Sequence, residues 1–170
     1  MTGKEDCWRT WKPMSTRSRK ARFRYVRSAR PEDVSDLSAA YAAYLVEFGD
    51  IPEDDRHLRA IISTLIEAEW AQILLYERET VAGFLTGCMS YSPRSACRAM
   101  FLNDMFVYPE FRKAGIASTL LEAMADWAAA QQIKKFFMQS TPDLIGFYTS
   151  LGFREDEHLR PMSKHLGSRV

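Results

Sequence analysis

An α/β domain built on a mixed sheet is the fold class that the sequence predicts, and three features predict it. Amphipathic helical stretches precede a run of strand-like segments, short polar turns separate those segments, and one strand passes through a helix into another. The 170 residues suffice for one well-buried core and fall short of two ordinary domains. The hydrophobic share of 46% and charged share of 26% are those of a soluble globular chain.

Taken in order, aromatic and β-branched residues from Phe23 to Val26 predict a first strand, and Pro31 followed by Glu32 and Asp33 predicts a helix start. Val34, Leu37, Tyr41, Tyr44, Leu45 and Phe48 then recur at helical spacing. Pro52 within GDIPEDD breaks that helix, and Leu58, Ile61, Ile62, Leu65 and Ile66 form the apolar face of a second. QILLYERETVAGFLTGCMSY alternates about the polar Arg78-Glu79-Thr80 as a hairpin does, and RAMFLNDMFVYP adds a further antiparallel strand ended by Pro109. Leu120, Leu121, Met124, Trp127 and Ala128 mark a third helix. KKFFMQS reads as a strand parallel to its predecessor, because a helix joins the two. Pro142 and Asp143 open a short helix through Tyr148 to Leu151, Gly152 caps it, and the tail from Phe153 to Leu166 supplies final strands. The predicted order is β-α-α-β-β-β-α-β-α-β-β.

The net charge of +1 hides an asymmetry: the chain through Arg30 is strongly basic and the remainder is acidic. Residues 1–21 read as a basic, solvated leader and residues 22–168 as a single domain. Docking to nucleic acid or to an acidic surface, or organelle import, is the leader's alternative use, and Met14 is a second candidate start. Nucleic acid is not the expected partner of the domain. No apolar run reaches the roughly 18 residues of a membrane-spanning helix, and the Met1 end lacks the apolar core of a secretory signal, so no membrane partner is expected and the cytoplasm is the expected location. Cys7, Cys88 and Cys97 form neither a CxxC pair nor an even set, which fits a reducing compartment. Neither they nor His57, His158 and His165 show metal-ligand spacing, so no metal is expected. Cys88 reads as an inert buried thiol, and Trp127 with Met100, Met105 and Met124 as core.

Between Val107 and Ala128 the chain passes from strand to helix through Arg112-Lys113-Ala114-Gly115-Ile116-Ala117. A helix begins with backbone N–H groups that lack intrahelical partners, and its dipole adds partial positive charge there, so this end attracts phosphate. Gly115, Ala114 and Ala117 let an anion approach the backbone, Arg112 and Lys113 add charge, and Ser118 offers a hydroxyl. The segment is neither GxxxxGK[ST] nor GxGxxG, so ATP and NAD are not the expected ligands. Taken alone, such a glycine is also compatible with an ordinary turn.

Arg112, Gly115 and Ala117 occupy the places of Arg/Gln-x-x-Gly-x-Gly/Ala, and here the sequence resembles the GNAT superfamily of N-acyltransferases. A second block agrees, with Phe147, Tyr148, Gly152 and Phe153 of LIGFYTSLGF matching that family's Phe-Tyr-x-x-x-Gly-Phe. The resemblance covers roughly Phe23 to Leu166 and implies the family's acyl-CoA N-acyltransferase fold. FLNDMFVYPEFR looks most like the diamine and polyamine acetyltransferase branch, with Asn103 standing where that branch has a glutamate.

The resemblance implies transfer of an acetyl group from acetyl-CoA to a primary amine of a small cationic or amino-acid-like acceptor, by direct attack in a ternary complex. It further implies that Met105, Phe106 and Val107 bind the pantetheine arm and that Arg112, Lys113, Ala114, Gly115, Ile116, Ala117 and Ser118 bind the pyrophosphate. A backbone N–H near Phe106 would polarise the thioester carbonyl. Tyr148 sits where the family places its general acid; a phenol with a pKa of about 10 can protonate a departing thiolate. Its alternative is a core aromatic. A homodimer is also implied by resemblance.

The acceptor must lose a proton, since an ammonium with a pKa of about 10.4 is neutral to about one part in 2,500 at pH 7, a penalty of roughly 4.6 kcal/mol. Asn103 is no base, which leaves Asp104 as the nearest carboxylate in sequence, but strand neighbours point to opposite faces unless a bulge intervenes. Asn103 would then orient a water or hold the acceptor, and Asp104 would cap or hydrogen-bond. Glu47, Asp50, Glu53, Asp54 and Asp55 would attract a cationic amine, or form a solvated loop. Two other readings stand beside the small-amine enzyme: an acyl-CoA-binding sensor or partner module with little turnover, and a protein or peptide N-acetyltransferase.

Overall fold

The computed structural model describes residues 21–51, 54–156 and 162–163. Two compact units form, one ending at Phe137 and one beginning at Met138. The first is built on a five-stranded sheet in the order β1 (Val26–Ser28), β2 (Ala71–Glu77), β3 (Val81–Ser92), β4 (Cys97–Val107) and β5 (Lys135–Met138). The first four strands are antiparallel neighbours, with Leu74 opposite Leu85 and Phe84 opposite Phe106. Lys134 N–H donates to Arg98 O at 2.9 Å, so β5 starts beside the start of β4 and runs with it, and the sheet is mixed.

Two helices, α1 (Val34–Glu47) and α2 (Asp55–Glu67), cover one face of the sheet. Their apolar stripes close on Ile73, Leu75, Phe84 and Phe106, with Leu37, Ala40, Tyr41, Leu58 and Ile62 buried among them. Strand alternation sends Leu74 and Leu85 to the opposite face, which α3 (Ile116–Ala130) covers with Ile116, Leu120, Leu121, Met124 and Ala128. Gly83 permits the tight seam between β3 and β4, since a Cβ there would sit 2.5 Å from the Phe106 carbonyl oxygen. The second unit contains a 3₁₀ turn at Pro142–Leu144 and α4 (Ile145–Ser150). Gly152 ends that helix at φ 89°, donating to Thr149 O at 3.0 Å, as its predicted capping role requires.

Several expectations shift. The first strand is Val26–Ser28, because Phe23 to Tyr25 form a turn closed by Val26 N–H on Phe23 O. Phe48 follows the last turn of α1 and is 55% exposed, and Ile61 is also exposed. Asp33 is buried beneath a bidentate pair with Arg27 (2.6 and 2.7 Å) and accepts from Arg30 N–H, so the start of α1 is tied to β1. Met100 and Met124 are core, whereas Met105, Trp127 and Cys88 are only half-buried. Residues 153–156 and 162–163 form no strand, and the rest of the tail expected to supply strands lies outside the described residues. So do residues 1–20, with Cys7 and Met14, and Glu53, His158 and His165. Among the described residues no helix is long and apolar enough to cross a membrane, and no three His, Cys, Asp or Glu groups gather as metal ligands.

Candidate active site

β4 leads directly to the anion loop. After Val107 the chain makes a 3₁₀ turn at Pro109–Phe111 and then two left-handed residues, Lys113 (φ 61°) and Gly115 (φ 78°), before α3 begins at Ile116. Among the described residues no side chain caps α3, and its first turn carries no acidic residue, so its leading N–H groups and dipole are not offset by a carboxylate of that turn. A Cβ on Gly115 would have no atom within 4 Å, so the helix mouth is open. Arg112, Lys113, Ala114 and Gly115 are exposed, Ala117 and Ser118 half-buried, and Ile116 is buried in the core. An open helix start of this kind could hold an anion.

The Arg112 guanidinium is already engaged. Its Nε donates to Val107 O at 2.9 Å, its terminal nitrogen pairs with Glu47 at the end of α1, and its carbon lies 5.8 Å from the Phe106 ring centre. It therefore fastens the loop to β4 and α1. The rest of the expected acidic run is largely used in local structure: Asp54 caps α2 through Arg56 N–H, and Asp55 bonds Ser38 (2.7 Å) and Arg59 (2.6 Å). Asp50 is exposed.

Since β5 starts beside Arg98 and has only four residues, β4 continues past its end, and among the described residues no strand lies beside the edge of β4 from Asn103 to Val107 there. Met105, Phe106 and Val107 lie on that free edge; Phe106 buries its ring while its backbone remains at the edge. This is the arrangement expected of a strand that bonds an extended ligand.

The register changes within the same strand. Thr86 pairs with Asp104 but Gly87 pairs with Leu102, which leaves Asn103 as the extra residue of a β-bulge. Asn103 is exposed, and Asp104 turns toward α1, half-buried, with Tyr41 Oη 3.4 Å from its Oδ2 and a hydrogen bond from Tyr44. Burial lifts the Asp104 carboxyl above its ordinary value, and the two tyrosine hydrogen bonds oppose that rise. Tyr41 also shares a 2.5 Å hydrogen bond with Thr86 Oγ1. Burial, and then Asp104, raise the Cys88 thiol, which accords with an unreactive cysteine. Tyr41, Tyr44 and Thr86 were not singled out as site residues from sequence; the signal available was that Tyr41 and Tyr44 carry hydroxyls on an otherwise apolar helix stripe.

In the second unit Tyr148 is buried on α4, with Phe147 and Phe153 ring centres at 5.0 and 5.6 Å. Burial raises its phenol above the usual value. His57 is exposed on α2.

A predicted acetyltransferase from Clostridium acetobutylicum, solved with acetyl-CoA, has the same fold, superposing with a TM-score of 0.70 at 18% identity over 81% of this chain and 94% of that one. The acetyltransferase (GNAT) family model matches residues 35–153, and the chain belongs to that family. It is 26% identical over 121 residues to an aminoglycoside N(6')-acetyltransferase type 1 of Acinetobacter baumannii, covering 67% of this chain and 83% of that protein. It is 27% identical over 135 residues to the uncharacterised N-acetyltransferase YhfO of Bacillus subtilis strain 168, covering 77% and 90%. The chain is an acetyl-CoA-dependent N-acetyltransferase.

Proposed function

We propose that the acceptor is a small cationic amine and that β4 organises its acetylation. The observation that carries this reading is the strand itself: a bulge presents Asp104, the following residues offer a free edge, and the strand then runs into the uncapped mouth of α3. In this reading Gly115 and the N–H groups of Ile116, Ala117 and Ser118 hold the diphosphate of acetyl-CoA, with Lys113 and Ala114 lining the approach. Met105, Phe106 and Val107 hold the pantetheine arm. Arg112 keeps the loop in place through Val107 and Glu47. When bound, acetyl-CoA supplies the activated acetyl group.

Asp104 accepts the acceptor's proton, for which a carboxyl lifted by burial is better suited than an ordinary one. Asn103, exposed beside it, holds the acceptor or a water. Tyr148 returns a proton to the departing thiolate. The aminoglycoside substrate in the name of the Acinetobacter relative supports a multiply charged amine, and polyamines belong to the same chemistry. The family match crosses both units and supports treating residues 22–168 as one catalytic domain. A cytoplasmic setting fits the unpaired Cys88 and Cys97, and a homodimer completes the reading.

An acceptor screen with acetyl-CoA, following thiol release across polyamines, aminoglycosides, amino acids and peptides, tests it. Release accelerated by polyamines or aminoglycosides is expected. Acceleration by peptides alone, or by no acceptor above hydrolysis, would overturn the small-amine reading.

A further inference from the structure

We propose that Tyr41 and Tyr44 of α1, with Thr86 of β3, are positioning residues for acetyl transfer: they hold the Asp104 carboxylate in place to receive the acceptor's proton. This inference rests on the reading of Asp104 as base. It adds a function for three residues outside the loop, the free edge and the bulge.

The geometry begins with the bulge. Without the extra residue at Asn103, Asp104 and its neighbours would not keep their present register, in which Asp104 lies opposite Thr86 beneath α1. Two residues one turn apart on α1 then reach the same carboxylate, Tyr41 at 3.4 Å and Tyr44 through its own hydrogen bond. Their rings have little freedom: Tyr41 lies 4.3 Å from the Phe84 ring centre, and Tyr44 lies 6.2 Å from Phe106 and 4.9 Å from Phe48. A carboxylate gripped by two phenols fixed in aromatic packing is itself fixed.

The hydrogens can be counted. Tyr41 has one hydroxyl proton and two neighbours, Thr86 Oγ1 and Asp104 Oδ2. Both contacts are satisfied when Thr86 donates to Tyr41 and Tyr41 donates to Asp104, a chain in which each bond polarises the next. Burial keeps the Tyr41 phenol protonated well above its ordinary value, so it serves as a donor throughout the neutral range. The titratable groups facing Asp104 among the described residues are Tyr41 and Tyr44 from α1 and Cys88 from β3. In the transfer step an N–H bond of the ammonium breaks and its proton passes to an Asp104 oxygen. The neutral amine forms a C–N bond to the acetyl carbon, the C–S bond breaks, and the second N–H proton that the amide does not keep balances the one the departing thiolate takes up. Asp104 gives its proton to water after the amide has formed.

Because both tyrosines stabilise the charged carboxylate, loss of either hydroxyl raises the pH at which Asp104 ionises. The test is the pH profile of kcat/KM for the acceptor in Tyr41→Phe, Tyr44→Phe, Thr86→Val and Asp104→Asn, together with ¹³C NMR titration of the Asp104 carboxyl without substrate. Tyr41→Phe and Tyr44→Phe are each expected to move the acid limb and the carboxyl titration upward by about one pH unit. Thr86→Val is expected to move them less, and Asp104→Asn to remove the limb. Thermal midpoints identify a variant that fails to fold, in which case the other tyrosine carries the test. An unmoved titration in both folded tyrosine variants, or an acid limb that survives Asp104→Asn, would overturn the inference. Absence of turnover in the wild-type protein would instead count against the small-amine reading, while the NMR titration still decides whether the tyrosines hold Asp104.

Discussion

The Tyr148 ring is held between Phe147 and Phe153, and burial raises its phenol above the usual value, so the proton that the proposed general acid must give is present at neutral pH. Tyr148→Phe preserves the packing and removes the proton, so kcat should fall by about 10²-fold with little change in thermal midpoint, read from thiol release and a melting curve. Gly115→Ala should cost about 1 kcal/mol, because its φ of 78° disfavours a side chain, and should raise KM for acetyl-CoA, because the methyl enters open space at the helix mouth. The position of the strand-to-helix loop and of the short helix that carries Tyr148 was legible in sequence because their residue types sit at fixed local spacings. The orientation of Asp104 was not. Alternation along one strand leaves its face undecided, and the deciding fact is a register change against Thr86 and Gly87 on a different strand.

Helices and strands were legible where periodicity is set by the core and less so at their ends. Leu37, Tyr41, Leu58 and Ile62 fill the predicted stripes, and Phe84 beneath them is fully buried. Phe84→Ala should therefore cost about 3–5 kcal/mol in denaturant unfolding. Phe48 continues the helical spacing of α1 yet is exposed, because the helix ends one residue before it. The start of α1 depends on a pair that sequence did not reveal. Arg27 hydrogen bonds hold the Asp33 carboxyl below its ordinary value, so the stability it contributes is complete above the unfolded value of about 3.9 and is lost as pH falls through the lower folded value. Asp33→Asn should cost about 1.5–3 kcal/mol near neutral pH and flatten the acid side of a plot of thermal midpoint against pH.

Across the whole chain, the element order from the first strand to the short helix of the second unit follows the sequence expectation, since a meander, a helical crossover and a glycine-ended helix each leave local marks. The identity of the acceptor leaves no comparable mark. Acidic residues that looked like a lure for cations are largely occupied by Arg112, Arg56, Ser38 and Arg59, and only the folded chain shows those attachments. Acetyl-CoA at about 100 times its Kd should stabilise the folded protein by about 2.7 kcal/mol, visible as a rise in melting temperature. The bare start of α3 carries a practical corollary. Buffers rich in sulfate or inorganic phosphate should slow the enzyme by competing with the donor but not with the amine, so rates measured in such media will understate its capacity.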